Sequence, residues 1–456
     1  MSEDILMELA DAAGLSGDSA AGIMFSGLGA MPSAFRTTDF AAACVGAAGL
    51  GAAAFAGLAN GGHAPGVEVD RRLASFWFHL SLREQGWSVP PLWDAIAGDY
   101  KTADGWIRLH TNAPHHRAAA LAALGVAEDR TQVTAAVASW KANDLETAVV
   151  EAGGCAAAMR SLEEWSAHPQ GAAVGKEPLA HTELFPAAGP VRWRIDPSRP
   201  LAGVKVLDLT RILAGPVATR FLAGYGADVL RIDPFGWEEP AALPEVGLGK
   251  RCARLDLKTV AGLDRMKGLI AEADVMVHGY RSDALEKIGV GADVRRSLNP
   301  GLVDVSLDAY GWTGPWATRR GFDSLVQMSS GIAEAGMHAK RADKPVPLPV
   351  QALDHGTGYI MAAGVMRGLY ERATTGRGLR QRYSLARTAA LLARFRAIDG
   401  FAEKLTPETQ DDLAREIEET SWGPARRLEP PLTVYGAPMR WDIPAGEHGR
   451  HEAVWG

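Results

Sequence analysis

The sequence predicts an α/β protein, with a Rossmann-like large domain on a parallel sheet and a smaller α+β domain beside it. Three observations lead there. Over residues 201–310, short apolar strands alternate with helical stretches, the pattern of parallel βαβ units. Between about residues 90 and 170 the pattern changes to a hairpin followed by helices. Pro186, Pro190, Pro197 and Pro200 mark a connector between the two regions.

Taken in order, residues 37–80 read as an apolar helix, a Gly/Pro loop from Asn60 to Gly66, and a second apolar helix. Phe40 to Ala59 is 20 residues without a charge, long enough to cross a membrane. It is mostly Ala and Gly, which carry little transfer energy, so a buried helix packed closely on a neighbour is expected instead. Tyr100 to Leu109 reads as a hairpin turning at Ala103-Asp104-Gly105, with helices following to about Trp165. Val204–Leu209 is the first strand of the large domain, and Pro216 opens a helix to about Tyr225. Asp228–Ile232, Asp274–Val277 and Leu302–Ser306 continue the alternation. The boundaries fall at 1–85, 86–185, a linker 186–200, 201–400 and 401–456.

The chain also echoes itself. Asp39 and Asp354 each begin an apolar helix, with Gly49 and Gly364 ten residues on. Each helix leads through a Gly-rich loop into a similar segment, Val67–Asp70 or Leu379–Arg382. A chance likeness of Ala/Gly-rich helices would produce this, and so would a partial duplication, which is the sharper reading.

Composition excludes several classes. Of 456 residues, 47% are hydrophobic and 22% charged, which is a globular rather than a disordered balance. A net charge of −7 argues against a nucleic-acid surface. Cys44, Cys155 and Cys252 are odd in number and far apart, so neither a disulfide framework nor a CxxC metal site is expected. The acidic start, Ser2-Glu3-Asp4, is no secretory leader, and a reducing, cytoplasmic setting is expected.

The first βαβ unit invites a dinucleotide reading, with Asp233 where a ribose ligand could stand. Its turn, Leu209-Thr210-Arg211-Ile212-Leu213-Ala214-Gly215-Pro216, lacks the GxGxxG wrap for a pyrophosphate. Walker A, HExxH and GxSxG are also absent.

The stretch Leu201–Pro216, running on to Tyr225-Gly226-Ala227-Asp228-Val229-Leu230, resembles the opening of family III CoA-transferases, whose relatives include 2-methylacyl-CoA racemase. Gly249-Lys250-Arg251 with Leu255–Lys258, Ala273-Asp274-Val275, Ala284–Gly289, Phe322–Gln327 and Leu353–Gly358 fit the family's later blocks in order, to about residue 395. Tyr100–Leu109, Ser161–Trp165 and His168-Pro169-Gln170 resemble the family's small domain, which here precedes the large one. Residues 37–80 resemble the tail of an earlier large domain, and Leu432–Gly449 resembles the segment returning from a small domain. The chain therefore reads as a rearranged or truncated tandem.

The resemblance implies an acyl-CoA:carboxylate CoA-transferase with coenzyme A as carried group and no metal. Its nucleophile would be Asp354, forming an anhydride and then an aspartyl-CoA thioester. A carboxylate at a helix N-terminus, followed by Gly356 and Gly358 to admit substrate to the backbone, suits that role. Asp39 lacks those glycines and is expected to be structural. The resemblance assigns Ile212, Leu213 and Ala214 to the adenine or pantetheine loop of the CoA site, and Lys250, Lys287 and Arg320 to phosphate or backbone contacts. Gly279 stands where relatives often carry Asn. Two alternatives follow: a racemase or isomerase, and a non-catalytic CoA-binding member. The first needs a histidine before Asp323, where this chain has Phe322; His355 and His278 are the conceivable substitutes. An interlocked homodimer, with no nucleic acid and no membrane, is the expected assembly.

Overall fold

The computed structural model describes residues 2–14, 22–187, 189–191, 193–281 and 283–456. Its main sheet has seven strands: β1 (His181–Ala187), β2 (Lys205–Leu209), β3 (Asp228–Asp233), β4 (Lys250–Arg254), β5 (Val275–His278), β6 (Val303–Asp308) and β7 (Arg377–Ser384). They lie in the order β4-β3-β2-β5-β6-β7-β1. The first six are parallel and β1 runs antiparallel to β7. Val206, Leu207, Val275, Met276, Val277 and Val303 are all fully buried, because helices cover both faces of the sheet. The chain winds outward from β2 in one direction and from β5 in the other. The crevice beyond the carboxyl ends of β2 and β5 is thus the switch point where ligands of such sheets bind.

The strand β1 corrects one boundary. Residues 181–187, expected in the small domain and its linker, complete the large sheet instead. Pro186 is tolerated there because β1 is an edge strand, where a missing N–H costs no ladder bond.

The echo in the sequence is an echo in the fold. Ile23–Ser26 lies parallel to Val67–Asp70, and Leu432–Val434 lies antiparallel to it on the other side. This three-strand order and polarity repeats β6-β7-β1. The helix Thr37–Gly57 precedes Val67–Asp70 as Ala352–Thr375 precedes β7. A second helix then follows in each copy: Arg71–Trp77, capped by Asp70, and Leu385–Leu392, capped by Ser384. The apolar helix expected directly after Gly66 is thus a strand first. Val67 and Val69 face inward while Glu68 and Asp70 are half-buried, an alternation with the period of a strand.

The two long helices pack against each other. A β-carbon on Gly356 would lie 2.4 Å from the Phe40 ring, and one on Gly51 would lie 2.9 Å from Cβ of Met366. Phe40 also meets Phe78 edge-on at 6.4 Å. The Thr37–Gly57 helix, long and apolar enough to span a membrane, spends that apolarity on the interior.

The small domain pairs Gly98–Lys101, Trp106–Leu109 and Ala156–Ala158 in an antiparallel sheet. Ile107, Leu109, Val133, Leu145 and Val149 form its own core beneath three helices. The hairpin turns over Thr102–Gly105, where Thr102 Oγ1 accepts the Gly105 N–H. The last residues return along β4, where the Cys252 N–H donates to His451 Nδ1.

Phe40→Ala should remove about 3–5 kcal/mol from the unfolding free energy, because the ring fills the groove that Gly356 leaves. Urea titration checks this, and a loss below about 1 kcal/mol would mean that the two helices do not depend on this contact.

Candidate active site

The crevice at the switch point holds a cavity of about 370 Å³. Its floor is the loop after β2, Thr210 to Gly215, with Gly279–Arg281 after β5 and Leu307–Ala309 at the end of β6. Arg319 to Phe322 and Asp354 form one wall, and His115 and His116 of the small domain form another.

The loop after β2 is held in an unusual conformation. Ile212 has φ +66°, a left-handed value that a β-branched residue adopts only under constraint. The constraint is Glu239, whose Oε1 accepts the Ile212 N–H at 2.8 Å and Trp237 Nε1–H at 2.7 Å. Glu239 Oε2 in turn accepts from Arg231 at 2.7 Å, inside a fully buried Arg231–Asp233 pair. Beside this network, Arg211 lies over the rings of Trp237 and Tyr280 at 4.7 and 5.4 Å.

Asp354 is the third residue of its helix and faces the cavity. Its backbone N–H donates to Asp323 Oδ2 at 2.9 Å, while its carboxylate accepts no hydrogen bond from the described residues. Burial, then the nearby Asp323 charge, push its pKa well above the usual carboxylate range. Burial likewise raises Asp323 to about 6, against the hydrogen bonds from Gln327 and the Asp354 amide that oppose the shift.

The two glycines after Asp354 serve a different end from the one expected. A β-carbon on Gly358 would sit 2.4 Å from the Ala214 carbonyl oxygen, and Gly356 is filled by Phe40. They admit a neighbouring loop and helix, not substrate.

Of the expected contacts, Ile212, Leu213, Ala214 and Arg320 line the cavity with Asp354, as does Gly279. Lys250 and Lys287 do not. Lys250 is fully buried, with Nζ 3.0 Å from Asp208 Oδ2 and 2.9 Å from the Pro216 carbonyl oxygen. It neutralises a carboxylate inside the sheet layer, and burial lowers its pKa. Lys287 points to solvent and pairs with Asp283 at 2.5 Å. Asp39 is tied down, accepting from Ser2 Oγ at 2.9 Å and from Arg71 at 2.8 Å, beside a separate cavity of about 160 Å³. Both substitute histidines lie outside the crevice. His278 is buried against Asp304 and Arg295, and His355 stacks on Phe78 at 5.1 Å.

Other residues at or behind the lining were not foreseen. His110, behind the wall, stacks flat on Phe322 with ring centroids 3.7 Å apart, and so fastens the small domain to the cavity wall. His115 and His116 follow Pro114 in the first turn of a helix; the histidine pair after a hairpin strand was the only sequence signal. Asp308 Oδ1 accepts the Gly311 N–H at 2.8 Å, and burial raises its pKa well above normal. Among the described residues no cluster of three or more His, Cys, Asp or Glu could hold a metal ion.

The family model described as CoA-transferase family III matches residues 201–421. An acyl-CoA transferase of Gibberella moniliformis (strain M3125 / FGSC 7600) is 31% identical over 317 residues, which is 63% of this chain and 55% of its own. The succinyl-CoA:glutarate CoA-transferase of Mus musculus is 33% identical over 199 residues, 40% of this chain and 45% of its own. The orthorhombic crystal structure of Rv3272 from M. tuberculosis is 33% identical with a TM-score of 0.41, covering 43% of this chain and 56% of its own. The chain spans about half the length of the curated relatives it matches.

Asp323→Asn keeps an oxygen for the Asp354 amide and removes the charge that resists Asp354 ionisation. The pH profile of carbodiimide labelling at Asp354, read by mass spectrometry, should move to lower pH in this variant. An unmoved profile removes Asp323 as a cause of the raised pKa.

Proposed function

We propose, from the match of residues 201–421 to the family model described as CoA-transferase family III, that this chain moves coenzyme A between an acyl-CoA and a carboxylic acid through Asp354. The observation that carries this reading is a carboxylate at the switch-point cavity that accepts no hydrogen bond from the described residues and is held there by its backbone. The ionised Asp354 attacks the thioester carbonyl, the C–S bond breaks, and CoA thiolate leaves an aspartyl–acyl anhydride. The thiolate then attacks the aspartyl carbonyl, releasing the first carboxylate and forming an aspartyl-CoA thioester. The acceptor carboxylate repeats both steps in reverse order, so the thioester energy is conserved. A carboxylate is a weak nucleophile, and positioning and exclusion of water must supply the rate. Burial aids here too, because a carboxylate with a raised pKa is more nucleophilic once ionised. The arginines Arg211, Arg281 and Arg320 suit the phosphates of CoA, and the Trp237 and Tyr280 rings suit its base. The succinyl-CoA:glutarate enzyme among the relatives supports the reaction class.

A racemase needs a second proton carrier beside Asp323. Phe322 occupies that position, and neither His278 nor His355 reaches the cavity. With a mixture of acyl-CoAs and carboxylic acids, the wild type should exchange CoA, and borohydride or hydroxylamine should trap a modified Asp354. Asp354→Ala should abolish exchange with the fold intact, whereas Asp39→Ala should cost less than about tenfold, near 1.4 kcal/mol of barrier. Full turnover by the Asp354 variant would sink the mechanism.

The homodimer expected from the domain order, and the cytoplasmic setting expected from the cysteines, remain part of this proposal. The homodimer rests on the paired subunits that the family resemblance implies. Light scattering at micromolar concentration should return twice the chain mass; the mass of one chain with full activity rejects it.

A further inference from the structure

The loop at the cavity floor is held from behind. Ile212 has φ +66°, and Leu213 after it has φ −138° and ψ −59°, so two consecutive lining residues leave the ordinary helix and strand regions before the helix at Ala214 begins. A β-branched residue does not take such a value unaided. Glu239 imposes it, and Glu239 is only 5% exposed and stands behind the lining. Its carboxylate is fixed at both oxygens. Oε1 accepts the Ile212 N–H and the Trp237 indole N–H, and Oε2 accepts from Arg231. Arg231 is fixed in turn by bonds of 2.8 and 3.1 Å to Asp233, and His448 Nδ1 of the C-terminal segment lies 2.9 Å from the same carboxylate. A peptide unit is planar, so a fixed Ile212 N–H also fixes the direction of the Arg211 carbonyl. Arg211 and Ile212 both line the cavity.

That arrangement has an energetic sign. A ligand lying over this loop meets a conformation that the protein already holds, and binds more tightly than to a loop it must first reshape. Without the Glu239 acceptor, Ile212 would relax to negative φ, and the ligand would have to restore the strained value. The charge of Glu239 acts the other way, since a carboxylate near the phosphates of coenzyme A repels them. Position and charge therefore predict opposite effects of removing it. We propose that Glu239 is a positioning residue for coenzyme A, which sets the affinity of the cavity by holding the Arg211–Ile212 peptide and does not touch the ligand. The inference rests on the reading that the cavity receives coenzyme A.

Isothermal titration of free CoA into the full chain tests this by a double-substitution cycle. Glu239→Leu, which removes the acceptor and the charge, should weaken CoA binding at least about fivefold, the low end of what such backbone strain is worth. Glycine takes a positive φ without strain, so with Ile212→Gly already present the same Glu239→Leu change should cost less than about twofold. Glu239→Gln, which keeps an oxygen for the Ile212 N–H, should retain part of the affinity lost in Glu239→Leu. A purely structural role would give the same loss in both Ile212 backgrounds. That result overturns the inference, as do unchanged or tighter CoA binding by Glu239→Leu and far-UV dichroism showing that both Glu239 variants are unfolded. A wild-type chain that does not bind CoA overturns it together with the proposed function. The expected cycle, in a wild-type chain that binds CoA but exchanges none, upholds Glu239 and rejects the transfer mechanism.

Discussion

The helix that carries Asp354 is confined on two sides by contacts that leave no space for a β-carbon. On one side Phe40 of the duplicated helix fills the surface of Gly356, and on the other the carbonyl of Ala214 reaches Gly358. Both contacts fall within the helical turn that follows Asp354. The helix of Asp354, the duplicated half and the cavity loop are therefore positioned against one another directly, through one backbone contact and one close-packed ring contact. A shift of either neighbour would move the Asp354 carboxylate with it.

Beneath that loop lies a layer of buried charge. Lys250 neutralises Asp208 between β2 and β4, and Arg231 holds both Asp233 and Glu239. Asp208 Oδ1 also accepts the Thr210 N–H, at the point where the strand becomes the cavity loop. Such pairs add little net stability, because desolvation offsets most of their attraction. Their effect is on geometry: Glu239 holds Ile212 in a backbone conformation that costs about 1–3 kcal/mol elsewhere. The strain lies at the cavity, where it shapes the loop over which the ligand would run.

Much of the fold and part of the site could be read from the residues. Period and turn chemistry placed β2, β3, β5 and β6, and the matching positions of Asp39 and Asp354 disclosed the repeated helix and strand. Asp354, Ile212–Ala214 and Arg320 lie together at the cavity. Lys250 and Lys287 lie outside the cavity lining, and the sequence did not show this because a cation's partner depends on which face it turns to. For Lys250 that partner is Asp208, 42 positions away in sequence, and no local pattern connects them. The left-handed φ of Ile212 was equally hidden, since it is imposed by Glu239 through tertiary contact against the residue's own preference. His110 and His116 gain their significance only from where the small domain docks, on Phe322.

That docking has a consequence for how the cavity comes together. The wall bearing His115 and His116 and the wall bearing Asp354 belong to one polypeptide, joined through β1 and the segment that leads into β2. Their encounter is unimolecular, with an effective concentration set by the tether rather than by the amount of protein, of order millimolar for short flexible linkers. A cavity divided between separate chains obeys mass action and comes apart when protomers become scarce. Here the two walls find each other during the folding of a single molecule and stay together in a cell that makes very few copies of it.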